Sequence, residues 1–453
     1  MRYLLTILLS AILSTVICAQ RVSYPQLVNR NQIPQVYIDE IVIPDSSGLH
    51  TLVFSFKFQN EFIPFKKIPV EPDFMVPEGK EYYAIMRLNS EIFKGVPGRN
   101  RNIEPVSRDT WTDTLFAENF DETRSRDLYA SGSLKVQLRP GVYNYILQLN
   151  TQDASRDRNT QPQRVRIPDL SKKEMGEIYL INNDSEANPS RLTLISKNNN
   201  VPYGEDFLSL IRIPDLNREA IYTLKVDKIR IQERDTSMIE EVYTNTLDLN
   251  ELMTNRSIQF VGGKESALSL REGGTFNYLL VKIPNNEFEN AAYRLTVNSD
   301  KRNKPVASRV FRSLWDDMPA SLYNLDIAID NMKYIVSEDQ IRSLKKGNDQ
   351  EKEKKFREFW DQRDPSPGTV YNELMAEYYR RIDYAFKTFG TRQFPLGHET
   401  DMGEIYIKYG PPNNKERVFP TNGNTRETWF YDNRKFVFEA VSGFGDFELV
   451  ATQ

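Results

Sequence analysis

The sequence predicts a multidomain protein in which two antiparallel β-sandwich (Ig-like) modules precede an α+β domain of several helices packed on a small antiparallel sheet. Three observations lead to this fold class. Up to about residue 303, short apolar segments alternate at period two and are separated by turn residues. After Phe311, apolar residues recur every three to four positions, as in helices. Short strand patterns then return near the C terminus.

The composition is typical of a globular protein with sizeable cores. The chain has 453 residues, of which 39% are hydrophobic and 27% charged, and this length suits about three domains. Its net charge is −4 at pH 7. A slightly acidic, nearly balanced chain has no electrostatic reason to bind nucleic acid.

The N terminus has the pattern of a secretory signal peptide, predicted over residues 1–19. Arg2 supplies the positive charge, Leu4–Leu13 the apolar core and Ile17–Ala19 an acceptable cleavage site. The protein is therefore expected in the periplasm or outside the cell. Alternatively Cys18, the only cysteine, is the acylated first residue of a lipoprotein, although the residue before it is larger than such sites prefer. Membrane contact is expected only in that case.

The first sandwich module is predicted over residues 20–185. Apolar and polar residues alternate in Leu52–Phe58, so its four apolar side chains should share one face. His50, which follows a Ser-Ser-Gly turn, is expected at the surface. A polar loop is expected at 150–162. The other strands are predicted at Val36–Ile43, Tyr82–Leu88, Gly132–Leu138, Tyr143–Leu149 and Gly176–Ile181.

The second module is predicted over residues 186–304, and the polar, basic stretch 300–305 suits a linker. Proline after Ile213 should end a strand, because proline cannot donate to a sheet ladder. The predicted strands are Arg191–Ser196, Phe207–Ile213, Ile221–Gln232, Leu268–Leu270, Phe276–Ile283 and Tyr293–Val297.

The C-terminal domain, predicted over residues 305–453, begins with helices. Ser337–Gln340 has the form of a capping box and starts a helix that should run to about Lys346. Further helices are expected at 350–361 and 370–389. The chain should then turn to strands at Ile405–Ile407, Glu427–Tyr431, Phe436–Glu439 and Phe447–Val450.

These C-terminal residues resemble the GWxTD domain, which is named for a Gly-Trp-x-Thr-Asp motif in bacterial secreted and envelope proteins. The motif stands here as Gly397-His398-Glu399-Thr400-Asp401, with His398 in place of tryptophan. Supporting segments in the same order are Phe359–Pro365, Glu377–Ile382, Gly403–Pro412, Glu427–Tyr431 and Phe447–Val450. The resemblance implies an envelope protein in which β-domains precede this module, as in Bacteroidota-type members. It implies no particular activity.

The motif combines a rare histidine with several carboxylates, so a chemical role has to be weighed. His398 with Glu399, Asp401 and Glu404 has the residue types of an acid–base or metal site. The spacing matches no zinc pattern, nucleophile elbow or phosphate loop. Thr400 and Asp401 are favoured as turn formers that bond backbone amides. We therefore predict no catalytic, cofactor-binding or metal-binding residue and no cofactor.

The sequence favours a non-enzymatic binding or assembly scaffold that contacts other envelope proteins. The alternative is a hydrolase of an envelope polymer that uses two carboxylates among Glu399, Asp401 and Glu404. The residues that we expect to build the motif structurally are Gly397, His398, Thr400, Asp401, Gly403, Tyr406, Gly410, Pro411, Pro412, Trp360, Asp364, Glu377, Arg381 and Trp429.

Overall fold

The structure is a computed structural model that describes residues 23–30, 35–97, 103–151, 158–170, 175–187, 190–232, 235–263, 265–392, 394–441 and 445–453. It is mostly β-structure in several sheets, with a helical region towards the C terminus, which confirms the coarse fold class. The predicted signal peptide and Cys18 lie outside the described residues.

The chain forms two compact units. The β unit contains the described residues of Ile33–Asp317 together with Ser366–Asn372. The C-terminal unit contains helix α1 (Tyr24–Arg30), Met318–Pro365 and Glu373–Gln453. The first described helix thus belongs to the same unit as the last third of the chain, a relationship that no local sequence pattern indicated.

The strands of the β unit cover every predicted strand region and add several more. In chain order they are β1 (Val36–Ile43), β2 (His50–Gln59), β3 (Lys66–Lys67), β4 (Tyr82–Phe93), β5 (Ser107–Ala117), β6 (Tyr129–Leu138), β7 (Gly141–Thr151), β8 (Arg158–Asn159), β9 (Gln163–Ile167), β10 (Ile178–Asn182), β11 (Leu192–Thr193), β12 (Asn200–Pro202), β13 (Phe207–Arg212), β14 (Tyr222–Gln232), β15 (Asp235–Thr246), β16 (Met253–Val261), β17 (Ala267–Glu272), β18 (Phe276–Ile283), β19 (Ala292–Ser299) and β20 (Ala307–Leu314). A short helix, α2 (Phe120–Thr123), follows β5.

These strands pair into four sheets. Sheet A has the order β1-β2-β6, and sheet B has the order β3-β4-β7-β8 with β5 on β4 and β9 on β7. Sheet C has the order β10-β13-β18-β16-β17-β11, and sheet D the order β12-β20-β19-β14-β15. The stretch 300–305, which suggested a linker, joins the antiparallel pair β19 and β20 within sheet D.

Three hydrophobic cores join the four sheets face to face. Sheets A and B share the first core, sheets A and C the second, and sheets C and D the third. Sheet A is therefore covered on both faces. The alternation predicted for β2 is confirmed on the face towards sheet B, where the buried side chains are Leu52, Phe54, Phe56 and Phe58. On the other face, Ser55 Oγ lies 2.7 Å from Ser266 Oγ and 3.2 Å from Ser196 Oγ, so that this buried hydroxyl is hydrogen-bonded.

The expectation that His50 lies at the surface was wrong. His50 is the first residue of β2 and is fully buried. Its Nδ1 accepts a hydrogen bond from the Asp45 amide at 2.9 Å. This contact with the turn before β2 draws the ring inward, and burial lowers its pKa.

A turn at Asn198–Asn199 holds β1 to the second half of the β unit. Both residues have positive φ angles, 56° and 60°, which asparagine tolerates better than most residues. Their amides each donate to the buried carboxylate of Asp39 at 2.9 Å. Asn198 Oδ1 in turn accepts from the Ile38 amide at 2.6 Å. These hydrogen bonds join β1 of sheet A to the Asn198–Asn199 turn, which comes just before β12. Apolar packing between sheets A and C adds to them.

The C-terminal unit packs its helices and one antiparallel sheet around two cores. Its helices after α1 are α3 (Leu325–Asp330), α4 (Glu338–Leu344), α5 (Asp349–Asp361), α6 (Glu373–Phe389) and α7 (Asp401–Tyr409). The sheet has the order β21 (Asn414–Val418), β22 (Arg426–Tyr431), β23 (Arg434–Ala440) and β24 (Phe447–Thr452). The capping box predicted at Ser337 is confirmed at the start of α4.

Two predictions in this unit need correction. Helix α6 begins at Glu373 and not at 370, because Val370 is engaged in the β unit, where its amide donates to Asn286 O at 2.9 Å. The strand predicted at Ile405–Ile407 is wrong, since these residues lie inside helix α7. The triplet Ile-Tyr-Ile fits the apolar spacing of a strand as well as that of a helix. The N-cap at Thr400, described below, favours the helix.

Candidate functional site at the Gly-His-Glu-Thr-Asp motif

The motif forms a 3₁₀ turn, Gly397–Glu399, followed by the N-cap of helix α7. Thr400 is the cap. Its Oγ1 accepts a hydrogen bond from the Gly403 amide at 3.1 Å and donates one to Gly397 O at 2.8 Å. Threonine at an N-cap satisfies an amide that the helix itself leaves free. The residue thus starts α7 and closes the preceding turn at once.

Two glycines of the motif region are required by close backbone packing. A Cβ atom at Gly397 would lie 2.4 Å from Ala385 O, on the backbone of α6. A Cβ atom at Gly403 would lie 2.0 Å from Gly397 O. A backbone carbonyl oxygen cannot move aside for an added Cβ atom as the end of a flexible side chain can. The motif turn is therefore pressed between α6 and the first turn of α7.

His398 is a buried aromatic residue in this arrangement. Its side chain is 4% exposed and packs against Tyr24 and Phe386 at centroid distances of 5.1 and 5.7 Å. Burial lowers its pKa to about 4, so the imidazole is neutral at pH 7. Its carbonyl oxygen accepts a hydrogen bond from the Tyr334 hydroxyl.

Asp401, the last residue of the motif, connects helix α7 to the sheet. Its Oδ2 accepts a hydrogen bond from the Leu449 amide of β24 at 2.6 Å. Among the residues that the structure describes, strand β24 is the edge of its sheet, so this amide has no strand partner there on that side. The carboxylate therefore satisfies an edge amide that would otherwise face solvent or another chain.

The two glutamates of the motif region are engaged with lysines. Glu399 pairs with Lys333 at 2.7 Å, and this contact holds the pKa of the carboxyl below its usual value. Glu404 pairs with Lys408 one turn along α7. Both glutamates are about half exposed, so these pairs add little stability.

The Gly-Pro-Pro segment ends α7 and leads into the sheet. Gly410 has a φ of 79°, which favours glycine at a helix C terminus. Its carbonyl accepts from the Tyr431 hydroxyl at 2.9 Å. The guanidinium of Arg381 lies over Gly410 and donates to Glu377 at 2.7 Å. The two prolines, Pro411 and Pro412, follow before β21 begins.

The predicted aromatic residues lie in the two cores of the unit. Trp429 is fully buried against Phe389 and Phe438, and its Nε1 donates to Glu427 Oε1 at 2.7 Å. Tyr406 stacks on Tyr384 with ring centroids 4.4 Å apart. Trp360 on α5 packs against Tyr378 and Tyr379 of α6. Asp364 lies just after α5, where its amide donates to Asp361 O.

A cleft of about 720 Å³ opens beside the motif, between the end of α6, the motif turn and the sheet. Thr400, Asp401 and Met402 of the motif region line it. The basic side chains Lys415 and Arg417 on β21 and the aromatic ring of Phe447 on β24 line it as well. Arg392 and the half-exposed ring of Phe394 also line it. This mixture of apolar and charged groups suits binding of a polypeptide or another amphipathic molecule.

Glu399 and Glu404 line one small pocket of about 270 Å³ together with Lys333, but each motif carboxylate is already engaged by another group of the protein. Asp401 accepts from a backbone amide, Glu399 and Glu404 pair with different lysines, and His398 is buried behind them. A general acid or base needs a proton that it can exchange with a substrate. Within the described residues, no cluster of three or more histidine, cysteine or acidic side chains has the arrangement of a metal site.

Fold and motif define a class of protein in which a large β unit is combined with an α+β unit centred on a capped Gly-x-x-Thr-Asp turn. Residues 292–446 match the family model of the GWxTD domain, so the C-terminal third of the chain carries a GWxTD domain. The match begins at the first residue of β19 and thus includes the last strand pair of sheet D. A comparison with curated proteins found no match.

Among the described helices, none has both the length and the apolar character needed to cross a membrane.

The sequence did not indicate two contributors to the motif region. Tyr24 on α1 packs on His398, and its hydroxyl donates to Asp383 of α6 at 2.5 Å. Nothing in the seven residues of α1 predicts this docking. The only local signal for Asp383 is an acidic residue on the apolar side of an amphipathic helix, which indicates a buried partner.

Proposed function

We propose that the protein is a non-enzymatic envelope protein that acts as a binding or assembly scaffold, with its GWxTD domain as the docking module. One observation carries the proposal. An open cleft adjoins the motif, while the motif's carboxylates are already bound to groups of the protein itself. Such a site offers surface for a partner but no free acid–base pair for hydrolysis.

The β unit supports the proposal as a rigid spacer. Its sheets share three cores, and directed hydrogen bonds join sheet A to the following part of the chain. We interpret its sheet pairs as Ig-like sandwich modules, a class that commonly serves as spacer and interaction surface; this step is an analogy at the level of fold. The signal pattern at the N terminus supports export to the periplasm or the medium, with acylation of Cys18 as the alternative. Other envelope proteins are the partners that this proposal expects.

Site-specific photo-cross-linking tests the docking site. Phe394, which lines the cleft, is replaced by a photoreactive phenylalanine analogue, and the protein is irradiated in envelope extract. The control protein carries the same analogue at Leu374, an exposed residue outside the cleft. We expect a discrete cross-linked protein from position 394 alone, and its loss with Arg392→Glu while the circular dichroism spectrum stays unchanged.

Two outcomes would contradict the scaffold. The first is equal cross-linking from both positions. The second is hydrolysis of an envelope polymer that Glu399→Gln or Glu404→Gln abolishes without unfolding the protein, which would establish the hydrolase alternative. Glu404 does not line the cleft, so Glu404→Gln separates loss of catalysis from loss of binding.

A further inference from the structure

A second surface of the C-terminal unit, separate from the cleft, holds helix α1. It is formed by Asp383 and Phe386 near the end of α6, by Ala320 in the 3₁₀ turn Ala320–Tyr323, and by His398 of the motif. We call this surface the α1 groove. Its walls are mainly aromatic and aliphatic, with one buried carboxylate.

Tyr24 anchors α1 in the groove. Its ring meets Phe386 and His398 edge to face, at centroid distances of 5.0 and 5.1 Å. Its hydroxyl donates to Asp383 Oδ1 at 2.5 Å, while Asp383 Oδ2 accepts from the Ala320 amide at 2.7 Å. One carboxylate thus joins the N-terminal helix, α6 and the 3₁₀ turn. Val28, one turn further along α1, is also buried in this core.

Helix α1 depends on the groove for its structure. An isolated helix of seven residues is unstable in water, because nucleation is unfavourable and few hydrogen bonds follow it. Tyr24 and Asp383 are separated by 359 positions, so the contact that holds this helix is a long-range one. The groove recognises it through one aromatic anchor with a hydroxyl and an aliphatic residue four positions later.

We propose that the α1 groove is a docking site for a short tyrosine-anchored helix, that α1 occupies it within the same chain, and that its occupancy fixes the motif turn. His398 provides the connection, since its ring faces Tyr24 while the next residues, Glu399 and Thr400, line the cleft. The proposal does not require the scaffold function, because it concerns how the GWxTD domain is completed.

Hydrogen exchange on the full chain tests this proposal. In Tyr24→Ala, we expect the amides of α1 and those of the motif turn and first turn of α7, including Gly403 and Glu404, to exchange about tenfold faster or more. Gln26→Glu, on the exposed side of α1, keeps the side-chain oxygen that accepts from the Ser23 amide; it is the control and should leave the motif amides unchanged. Tyr24→Phe keeps the ring and loses the hydroxyl, so it should affect α1 more than the motif turn.

Addition of a peptide in trans gives a second, independent readout. A synthetic peptide with the sequence of residues 23–30, added to the Tyr24→Ala protein, should restore protection of the motif amides, whereas the same peptide with alanine for tyrosine should not. Faster exchange in α1 without any change in the motif turn would overturn the coupling. Failure of the peptide to restore protection in a folded variant would overturn the groove as a docking site.

Discussion

The ring of Tyr24 packs edge to face on the imidazole of His398, with an angle of 76° between their planes. The two residues come from opposite ends of the chain and meet inside one unit. The motif that names the GWxTD family has tryptophan at the position of His398. Imidazole is smaller than indole, and here Tyr24 packs directly against it.

The first prediction concerns His398→Trp, which restores the residue of the family motif. The larger ring should collide with Tyr24 and lower the free energy of unfolding by about 1–3 kcal/mol, the usual cost of overpacking. Tyr24→Ala alone should cost about 3–5 kcal/mol through the lost aromatic contacts. The double variant should lose less than the sum, with a coupling of about 1–3 kcal/mol. Urea unfolding of the four proteins measures this cycle, and strict additivity would show that the two rings do not share one space.

The second prediction is a pH dependence caused by His398. Burial lowers its pKa to about 4, whereas the unfolded chain takes up the proton near pH 6.5. The unfolded state therefore binds more protons between these values, so stability is complete above pH 6.5 and falls as the pH drops towards 4. The loss is at most about 3 kcal/mol.

His398→Asn, which does not titrate, is the comparison that isolates this effect. Buried carboxyls such as Asp383, whose pKa is raised by burial, change stability in the opposite direction in both proteins and cancel in the difference. Urea unfolding at several pH values should show the two stabilities converging as the pH falls. Parallel curves between pH 7 and 4 would contradict a buried neutral imidazole.

The third prediction separates the motif's two kinds of carboxylate. Asp401→Ala removes the acceptor of the Leu449 amide, so stability should fall by about 1–3 kcal/mol, as for a hydrogen bond to a charged group. Glu404→Gln affects only an exposed pair with Lys408 and should change stability by less than about 0.5 kcal/mol. Equal effects in thermal or urea unfolding would remove the structural explanation for Asp401.

Local patterns were enough to predict the elements whose form depends on their own residues. The alternation in Leu52–Phe58 indicates a strand, and the Ser337 capping box marks the start of α4 where the structure has it. The antiparallel strands around Trp429 and the core position of this side chain also follow from their apolar residues.

Other elements depend on partners far away in the sequence. Strand β5, Ser107–Ala117, is polar on most positions because it lies outside β4 with no strand beyond it in the described sheet, and so it lacks the apolar signal. Ile405–Ile407 fits either period, and the hydrogen bond between Thr400 and Gly403 selects the helix. The docking of α1 rests on Asp383 and His398, which no pattern within α1 indicates.

The fourth prediction tests the packing of the motif glycines. Gly403→Ala would place a Cβ atom only 2.0 Å from the carbonyl oxygen of Gly397. This distance is too short for two non-bonded atoms, so the start of α7 must move. We expect a loss of roughly 3 kcal/mol or more in urea unfolding. Gly95→Ala is the control, since its Cβ would meet only the end of the flexible Ile103 side chain. An equal, small effect at both positions would mean that the turn is not held against α7.

The fifth prediction concerns the junction inside the β unit. Asp39→Ala removes the buried carboxylate that accepts from the amides of Asn198 and Asn199, so we expect a loss of about 2–4 kcal/mol. The Ile38 amide, which donates to Asn198 Oδ1, should then exchange at least about tenfold faster, because the turn that holds it is released. Asp113→Ala, on exposed β5, is the matched control and should change neither quantity measurably. If Asp39→Ala lowers stability but leaves the Ile38 amide protected, then apolar packing between sheets A and C holds β1 in place, and the asparagine turn is not what joins them.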